Sequence, residues 1–172
     1  VSRMVDNLEQ FLLAKTQNRG PKRCLVIQTA FIGDVILATS VVENLKDKFP
    51  NAEIDFLLRK GNEGLLTNHP HLHETIIFDK QKGKYRNLLG LLKKIRHNRY
   101  DLVVNIQRYA TTGVLTAFSG AKSTVGFSKN PLSRFFTYRI DHHMSETGGM
   151  HEVDRNNLLL NHLGITQSAK PR

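Results

Sequence analysis

The sequence predicts an α/β domain built on a doubly wound, mainly parallel sheet, and three observations carry that prediction. Short apolar runs rich in β-branched residues recur at spacings too long for hairpins. Stretches with helical periodicity lie between several of them. The runs are apolar nearly throughout instead of alternating, the pattern of strands covered on both faces.

Taken in order, residues 1–20 read as an N-terminal helical extension, with Met4, Val5, Leu8, Phe11 and Leu12 on one face that packs on the domain. Residues 24–27 are the first strand. Ile32-Gly33-Asp34-Val35 follows and leads into a helix over 35–49. Residues 54–58 and 75–78 are the next two strands, and 85–97 a helix with Leu88, Leu89, Leu91, Leu92 and Ile95 as its apolar face. A fourth strand over 102–106 precedes a helix over 111–119. Weaker strands are expected at 124–127 and 137–140. A last helix over 153–163 stops at Gly164, as a C-terminal cap requires. The domain therefore runs over 21–164, and the polar residues 165–172 read as the start of a linker.

At 172 residues the chain has room for one domain, burying roughly 70% of its unfolded surface. Hydrophobic residues at 40% with five prolines exclude a disordered chain, and no apolar run approaches the ~20 residues of a membrane-crossing helix. Twenty-five Lys and Arg against fifteen Asp and Glu give a formal charge of +10, which favours anionic partners such as phosphosugars, nucleic acid or acidic lipid. The single cysteine, Cys24, excludes an internal disulfide and reads as the buried, inert thiol of a cytosolic protein. No secretory signal is read, because Asp6, Glu9 and Gln10 split the first apolar stretch.

Two phosphate-binding signatures are excluded. The dinucleotide pattern G-x-G-x-x-G is not met after the first strand, where residues 29–34 offer Gly33 alone. Gly113 and Gly120 with Lys122-Ser123 imitate a P-loop, but the glycines are seven apart instead of five, Ala121 intervenes, and a helical pattern precedes them. His69, His71 and His73 alternate, yet Pro70 interrupts them and no further ligands are at hand, so no metal site is read there or at His142-His143.

Asp34 reads two ways. It is the N-cap of the following helix, its carboxylate accepting a backbone N–H, or it is a carboxylate held at a helix N-terminus to accept a proton. Gly33 beside it lets a ligand approach. The residues by themselves do not choose.

The basic residues gather. Between Lys80 and Arg99 stand eight Lys or Arg and no acid. Lys80, Lys82, Lys84 and Arg86 cluster beyond the third strand, and a parallel sheet brings Arg59, Lys60 and Arg108 to the same edge. That edge suits a polyanionic substrate or an anionic membrane surface. Nucleic acid is not expected, because Tyr85 is the only aromatic in the stretch.

Taken together, Ile32-Gly33-Asp34-Val35-Ile36-Leu37 after Leu25-Val26-Ile27, residues 55–61, 68–71 and 100–104, Gln107, residues 118–122 and 126–127, and His151-Glu152-Val153-Asp154-Arg155-Asn156 resemble, in order and spacing, the N-terminal half of glycosyltransferase family 9, the ADP-heptose:lipopolysaccharide heptosyltransferases. The resemblance covers 23–165. It implies a GT-B arrangement of two Rossmann-like domains across a cleft, with this chain as the acceptor-side domain. It also implies inverting transfer of heptose from ADP-heptose, or another sugar from another nucleotide sugar, to the lipopolysaccharide inner core, with no metal or cofactor. The family's catalytic aspartate falls on Asp34 as general base. The substrate-binding set implied is Gly33, Arg59, Lys60, Lys80, Lys82, Lys84, Arg86, Gln107 and Arg108, of which 80–86 are carried over by region.

The resemblance also implies a cytoplasmic protein, with peripheral contact at the inner face of an anionic inner membrane. Ser40 stands where many members have proline. The donor domain has no counterpart in these residues, so the isolated chain is expected to be inactive. A reading of a different class is a non-catalytic module whose basic edge binds anionic lipid or glycan.

Overall fold

The computed structural model describes residues 20–81, 83–141, 151–166 and 169–172. Residues 1–19 of the expected N-terminal helical extension, Lys82 and the His142-His143 pair lie outside the described residues.

Six strands form one sheet: β1 (Arg23–Ile27), β2 (Glu53–Arg59), β3 (Glu74–Phe78), β4 (Leu102–Asn105), β5 (Ser123–Phe127) and β6 (Tyr138–Ile140). Their order is β3-β2-β1-β4-β5-β6 and every pairing is parallel. Central β1 is in register with both neighbours, Val26 facing Phe56 on β2 and Val104 on β4. This is the doubly wound order expected when a parallel sheet is extended first to one side of β1 and then to the other.

Among the described residues four α-helices accompany the strands: α1 (Ile32–Lys48), α2 (Lys84–Asn98), α3 (Ala110–Ala117) and α4 (Glu152–Asn157), the last continuing as a 3-10 helix (Leu158–Leu163) that ends at Gly164 with φ 75°. The expected helix over 153–163 is thus real but changes pitch halfway. The other boundaries move by one to three residues, as fraying helix ends do.

Alternation along the strands divides the core. Cys24, Val26, Ile54, Phe56, Leu102 and Val104 pack against Val35, Ala38, Val42 and Leu45 of α1 and Leu159 and Leu160 after α4. Leu25, Ile27, Leu57 and Val103 face Ile95 of α2 and Leu115 of α3. Because both faces are covered, the strands are apolar throughout, which is the signal that marked them in the sequence. Cys24 is fully buried, and desolvation, followed by the charges of Asp101 and Asp55, pushes its thiol up to about 12.

One expected core residue is not there. Leu88, Leu91, Leu92 and Ile95 turn toward the sheet, whereas Leu89 is 62% exposed. Its place on the helix carries it past the edge of the buried stripe.

The N-terminal edge of the sheet is tied by a buried acid. Asp55, fully buried on β2, accepts the Tyr100 hydroxyl, sits 2.9 Å from His73 Nδ1 and lies 4.0 Å from the Arg23 guanidinium. Glu43 on α1 lies 3.1 Å from His71 Nδ1 and 3.5 Å from His69 Nε2. The three alternating histidines therefore tie the loop before β3 to α1 and β2 through carboxylates.

Candidate functional site

All six strands point the same way, so their C-terminal ends share one edge. The sheet's growth reverses between β1 and β4, and a cavity of about 560 Å³ opens there. Such switch points are where open α/β sheets receive ligands. A larger depression of about 660 Å³ lies at the opposite edge around Arg23, Glu53 and Asp101. Three of its charged groups are already matched: Arg23 pairs with Glu53 at 3.1 Å, and Asp101 accepts the Lys22 and Arg23 backbone N–H groups and pairs with Lys122 at 2.7 Å. The switch-point cavity is the better candidate because its charges are less fully matched.

Asp34 stands in that cavity, half-buried. It is not the N-cap of α1. Phe31, with extended backbone (φ −76°, ψ 169°), occupies that position, and Ile32 and Gly33 are already helical. Asp34 is the third helical residue, and its Oδ2 reaches back to accept the Phe31 N–H at 3.3 Å, the return half of a capping box. A single weak bond leaves most of the carboxylate's acceptor capacity to the cavity. A Cβ on Gly33 would meet nothing within 4 Å, so no internal packing requires glycine there and the approach to the helix start is open.

The loop after β4 forms the opposite wall. Buried Gln107 donates from Nε2 to Gln28 Oε1, which also accepts the Ala30 N–H at 3.3 Å, while Gln107 Oε1 has no partner among the described residues. Gln107 lines the cavity, and a buried acceptor left without a partner there is an exception that a ligand or an ordered water accounts for. The loop is pinned from behind by Asn130, 1% exposed, whose Nδ2 donates to Gln107 O and Tyr109 O at 3.1 Å each. Gly113, read in the sequence only as a failed P-loop, makes the room: a Cβ there would stand 2.3 Å from Asn130 Oδ1.

Exposed Arg108 and Lys129 add positive charge to the rim. The residue that sequence reasoning did not single out is Arg155. Its side chain, 15% exposed, enters the cavity from α4, pairs with Glu152, and has an unpartnered Nε among the described residues. Burial first, and then the neighbouring Arg108 charge, lower its guanidinium below the ordinary value. Its motif, His151 to Asn156, was visible in the sequence, but its direction was not. α4 is set against α1 by Asn157, whose Nδ2 donates to Ser40 Oγ at 3.3 Å and whose Oδ1 accepts Asn44 Nδ2 at 2.7 Å.

The remaining predicted cations separate. Arg59, Lys60 and Lys80 line a second depression of about 370 Å³ beyond β2 and β3, where Lys60 is held by Asp79 at 2.9 Å. Lys80 donates to Thr29 Oγ1 at 3.1 Å and has no carboxylate partner among the described residues. Burial, with the charges of Arg59 and Lys84 close by, lowers its ammonium below the ordinary value. Lys80 Nζ lies 5.9 Å from the Tyr109 ring centroid, and with Lys84 the two line a further depression beside the Asp34 cavity, which Tyr109 also lines. Arg86 lines none of these depressions. It is the third residue of α2 and exposed, not part of a loop cluster before the helix.

No family model matches the chain. Curated proteins do: it is 31% identical over 138 residues to lipopolysaccharide heptosyltransferase 3 of Escherichia coli K12, spanning 78% of this chain and 40% of that protein. The crystal structure of the glycosyl transferase family 9 from Veillonella parvula DSM 2008 superposes with TM-score 0.74 at 25% identity, over 88% of this chain and 44% of that one. This is a family 9 heptosyltransferase-like chain. It is also 28% identical over 109 residues to the lipopolysaccharide core heptosyltransferase OpsX of Haemophilus influenzae, covering 63% of this chain and 31% of that protein. The E. coli heptosyltransferase WaaC with ADP, at TM-score 0.66 and 18% identity over 87% of this chain and 48% of that one, shares the fold. The heptosyltransferase-like chain spans less than half the length of the curated relatives it matches. Among its described residues, no group of three or more His, Cys, Asp or Glu is placed to hold a metal ion.

Proposed function

We propose that the chain is the acceptor-binding half of an inverting glycosyltransferase that moves heptose from ADP-heptose to the lipopolysaccharide inner core. The observation that carries this reading is Asp34, a carboxylate with one weak internal hydrogen bond that lines the switch-point cavity together with Gln107, Arg108 and Arg155. An acceptor hydroxyl points its one hydrogen at Asp34 and gives it that proton as its oxygen attacks the anomeric carbon of the sugar, while Gln107 Oε1 accepts from a neighbouring hydroxyl of the acceptor. The new carbon–oxygen bond forms as the bond to ADP breaks, and ADP leaves with the electron pair. Arg108, Arg155 and Lys80 take the acceptor's anionic groups. Arginine suits these because its planar fork matches carboxylate and phosphate oxygens two at a time.

The nucleotide-sugar site belongs to sequence outside these 172 residues, so the isolated chain should fold yet transfer no heptose. In a protein that contains the chain and its donor side, Asp34→Asn keeps the side chain's size and removes the base. Transfer should fall by roughly 10² to 10⁴ with donor affinity little changed. A near-normal rate would reduce Asp34 to the capping partner of Phe31.

A further inference from the structure

One aromatic ring joins the Asp34 cavity to the cations beyond it, and neither the core nor the proton transfer uses that ring. Tyr109 is 61% exposed, and it is the residue shared by the Asp34 cavity and by a depression of about 370 Å³ lined by Lys80, Lys84, Ala110 and Thr111. Its backbone is fixed although its side chain stands in solvent. The residue is the N-cap of α3 in extended conformation (φ −87°, ψ 145°). Its carbonyl accepts from the Gly113 N–H at 3.0 Å, from Thr112 Oγ1 at 2.9 Å and from Asn130 Nδ2 at 3.1 Å. Three donors on one carbonyl hold that peptide in place, so the ring is presented from a rigid base. On one side of it Lys80 Nζ lies 5.9 Å from the ring centroid and has no carboxylate partner among the described residues. On the other side the cavity carries Arg108 and Arg155.

We propose that Tyr109 is a specificity-determining residue, the platform on which one pyranose ring of the acceptor lies between its anionic groups. One face of a pyranose presents mainly C–H groups, which pack against the face of an aromatic ring. Tyrosine supplies a large, rigid contact area with few rotatable bonds to immobilise, and its hydroxyl stays free to hydrogen-bond. Cations on both sides of the ring then favour a saccharide whose acidic groups flank the stacked sugar, and stacking fixes which of its hydroxyls comes to Asp34. An anion without a ring gains nothing from such a platform. The identity of the saccharide rests on the acceptor reading above, but the proposal concerns binding and not the base.

Calorimetric titration of a protein that contains the chain and its donor side, without nucleotide sugar, separates ring from charge. The probes are deacylated, phosphorylated inner-core oligosaccharide and pyrophosphate, an anion with no ring. Tyr109→Ala should weaken oligosaccharide binding about tenfold, the loss expected for roughly 60 Å² of apolar contact, and leave pyrophosphate binding unchanged. Tyr109→Phe keeps the ring and should bind the oligosaccharide as the parent does. Tyr85→Ala removes a tyrosine that is also exposed, on α2 and outside these depressions, and should change neither. Because the Tyr109 ring is exposed, the circular dichroism and melting temperature of Tyr109→Ala should match the parent's. Equal weakening of both ligands by Tyr109→Ala would overturn the platform and reduce Tyr109 to a support for Lys80, and oligosaccharide binding indifferent to the change would overturn it as well. A parent that does not bind the oligosaccharide would overturn the platform together with the acceptor reading. Since binding is read without donor, an Asp34→Asn variant of near-normal rate would overturn the base alone and leave the platform supported by the Tyr109→Ala loss.

Discussion

Gly113→Ala sets helix propensity against packing, and the structure says which wins. Gly113 lies inside α3, where alanine is better than glycine by about 1 kcal/mol. Taken alone, that makes the substitution stabilising. The added Cβ would, however, stand 2.3 Å from Asn130 Oδ1 and 2.9 Å from Leu132 Cδ1. Asn130 cannot yield freely, because its Nδ2 donates to Gln107 O and Tyr109 O and its Oδ1 accepts the Leu132 N–H at 3.0 Å. Overpacking costs about 1–3 kcal/mol and each lost hydrogen bond about 1 kcal/mol, so the clash outweighs the propensity gain. The net loss should be about 2 kcal/mol. At roughly 2–4 °C per kcal/mol for a chain of this size, the melting temperature should drop by about 4–8 °C.

Gly90→Ala is the matched control: Gly90 is exposed inside α2 with nothing within 4 Å of an added Cβ, so propensity acts alone and should stabilise by about 0.5–1 kcal/mol. Urea unfolding of both variants, followed by circular dichroism, measures the pair. Two changes of the same stabilising sign would refute the packing argument and with it the role given to Asn130.

Other outcomes are expected. Arg155→Lys keeps the charge and loses the planar fork, so in a donor-containing protein the acceptor KM should rise by about tenfold or more with kcat less affected; an unchanged KM would remove Arg155 from the acceptor site. Asn157→Ala removes the tie between α4 and α1 and strands the buried Asn44 amide, which should cost about 2–3 kcal/mol in unfolding free energy, and a double-mutant cycle with Asn44→Ala should return a coupling above about 0.5 kcal/mol. His69 and His162 are both lowered from the ordinary 6.5, chiefly by burial, against the opposing pull of the Glu43 charge and of the bond to Leu159 O respectively. The unfolded chain therefore takes up their protons as pH falls through 6.5 and the folded chain does so only lower, so stability is full above 6.5 and declines below it. Melting temperatures measured from about pH 7.5 to 5 should show this decline, flattened in a His69→Gln, His162→Gln variant.

How much of this was legible in the sequence follows from what each feature depends on. The six strands and the handover from β1 to a helix near Asp34 depend on local order: apolar runs buried on both faces need not alternate, and the change from a strand pattern to a helical period marks where β1 ends. The family resemblance drew on the same local signals, since its pieces are the strand ends and loops that a doubly wound sheet brings to one edge. The Asp34 cavity itself was decided by tertiary structure.

Whether Asp34 is an N-cap turned on where α1 starts, a matter of two residues' backbone angles. The eight basic residues after β3 look like one cluster in sequence, yet Lys80 stays in the loop at the sheet edge while helical geometry turns Lys84 toward the same rim and leaves Arg86 outward, and the same rotation places Leu89 in solvent beside leucines that are not. Arg155 and Asn130 are remote in sequence from the groups they meet. Only the packing of α4 on α1 and of Asn130 into the space left by Gly113 brings them to the cavity, and such contacts leave no periodicity along the chain. The sequence alone determined which segments are buried and in what order they cross the sheet, because burial is repeated along every element. The direction of each polar side chain at the switch point was settled by single long-range contacts, which only the folded chain makes.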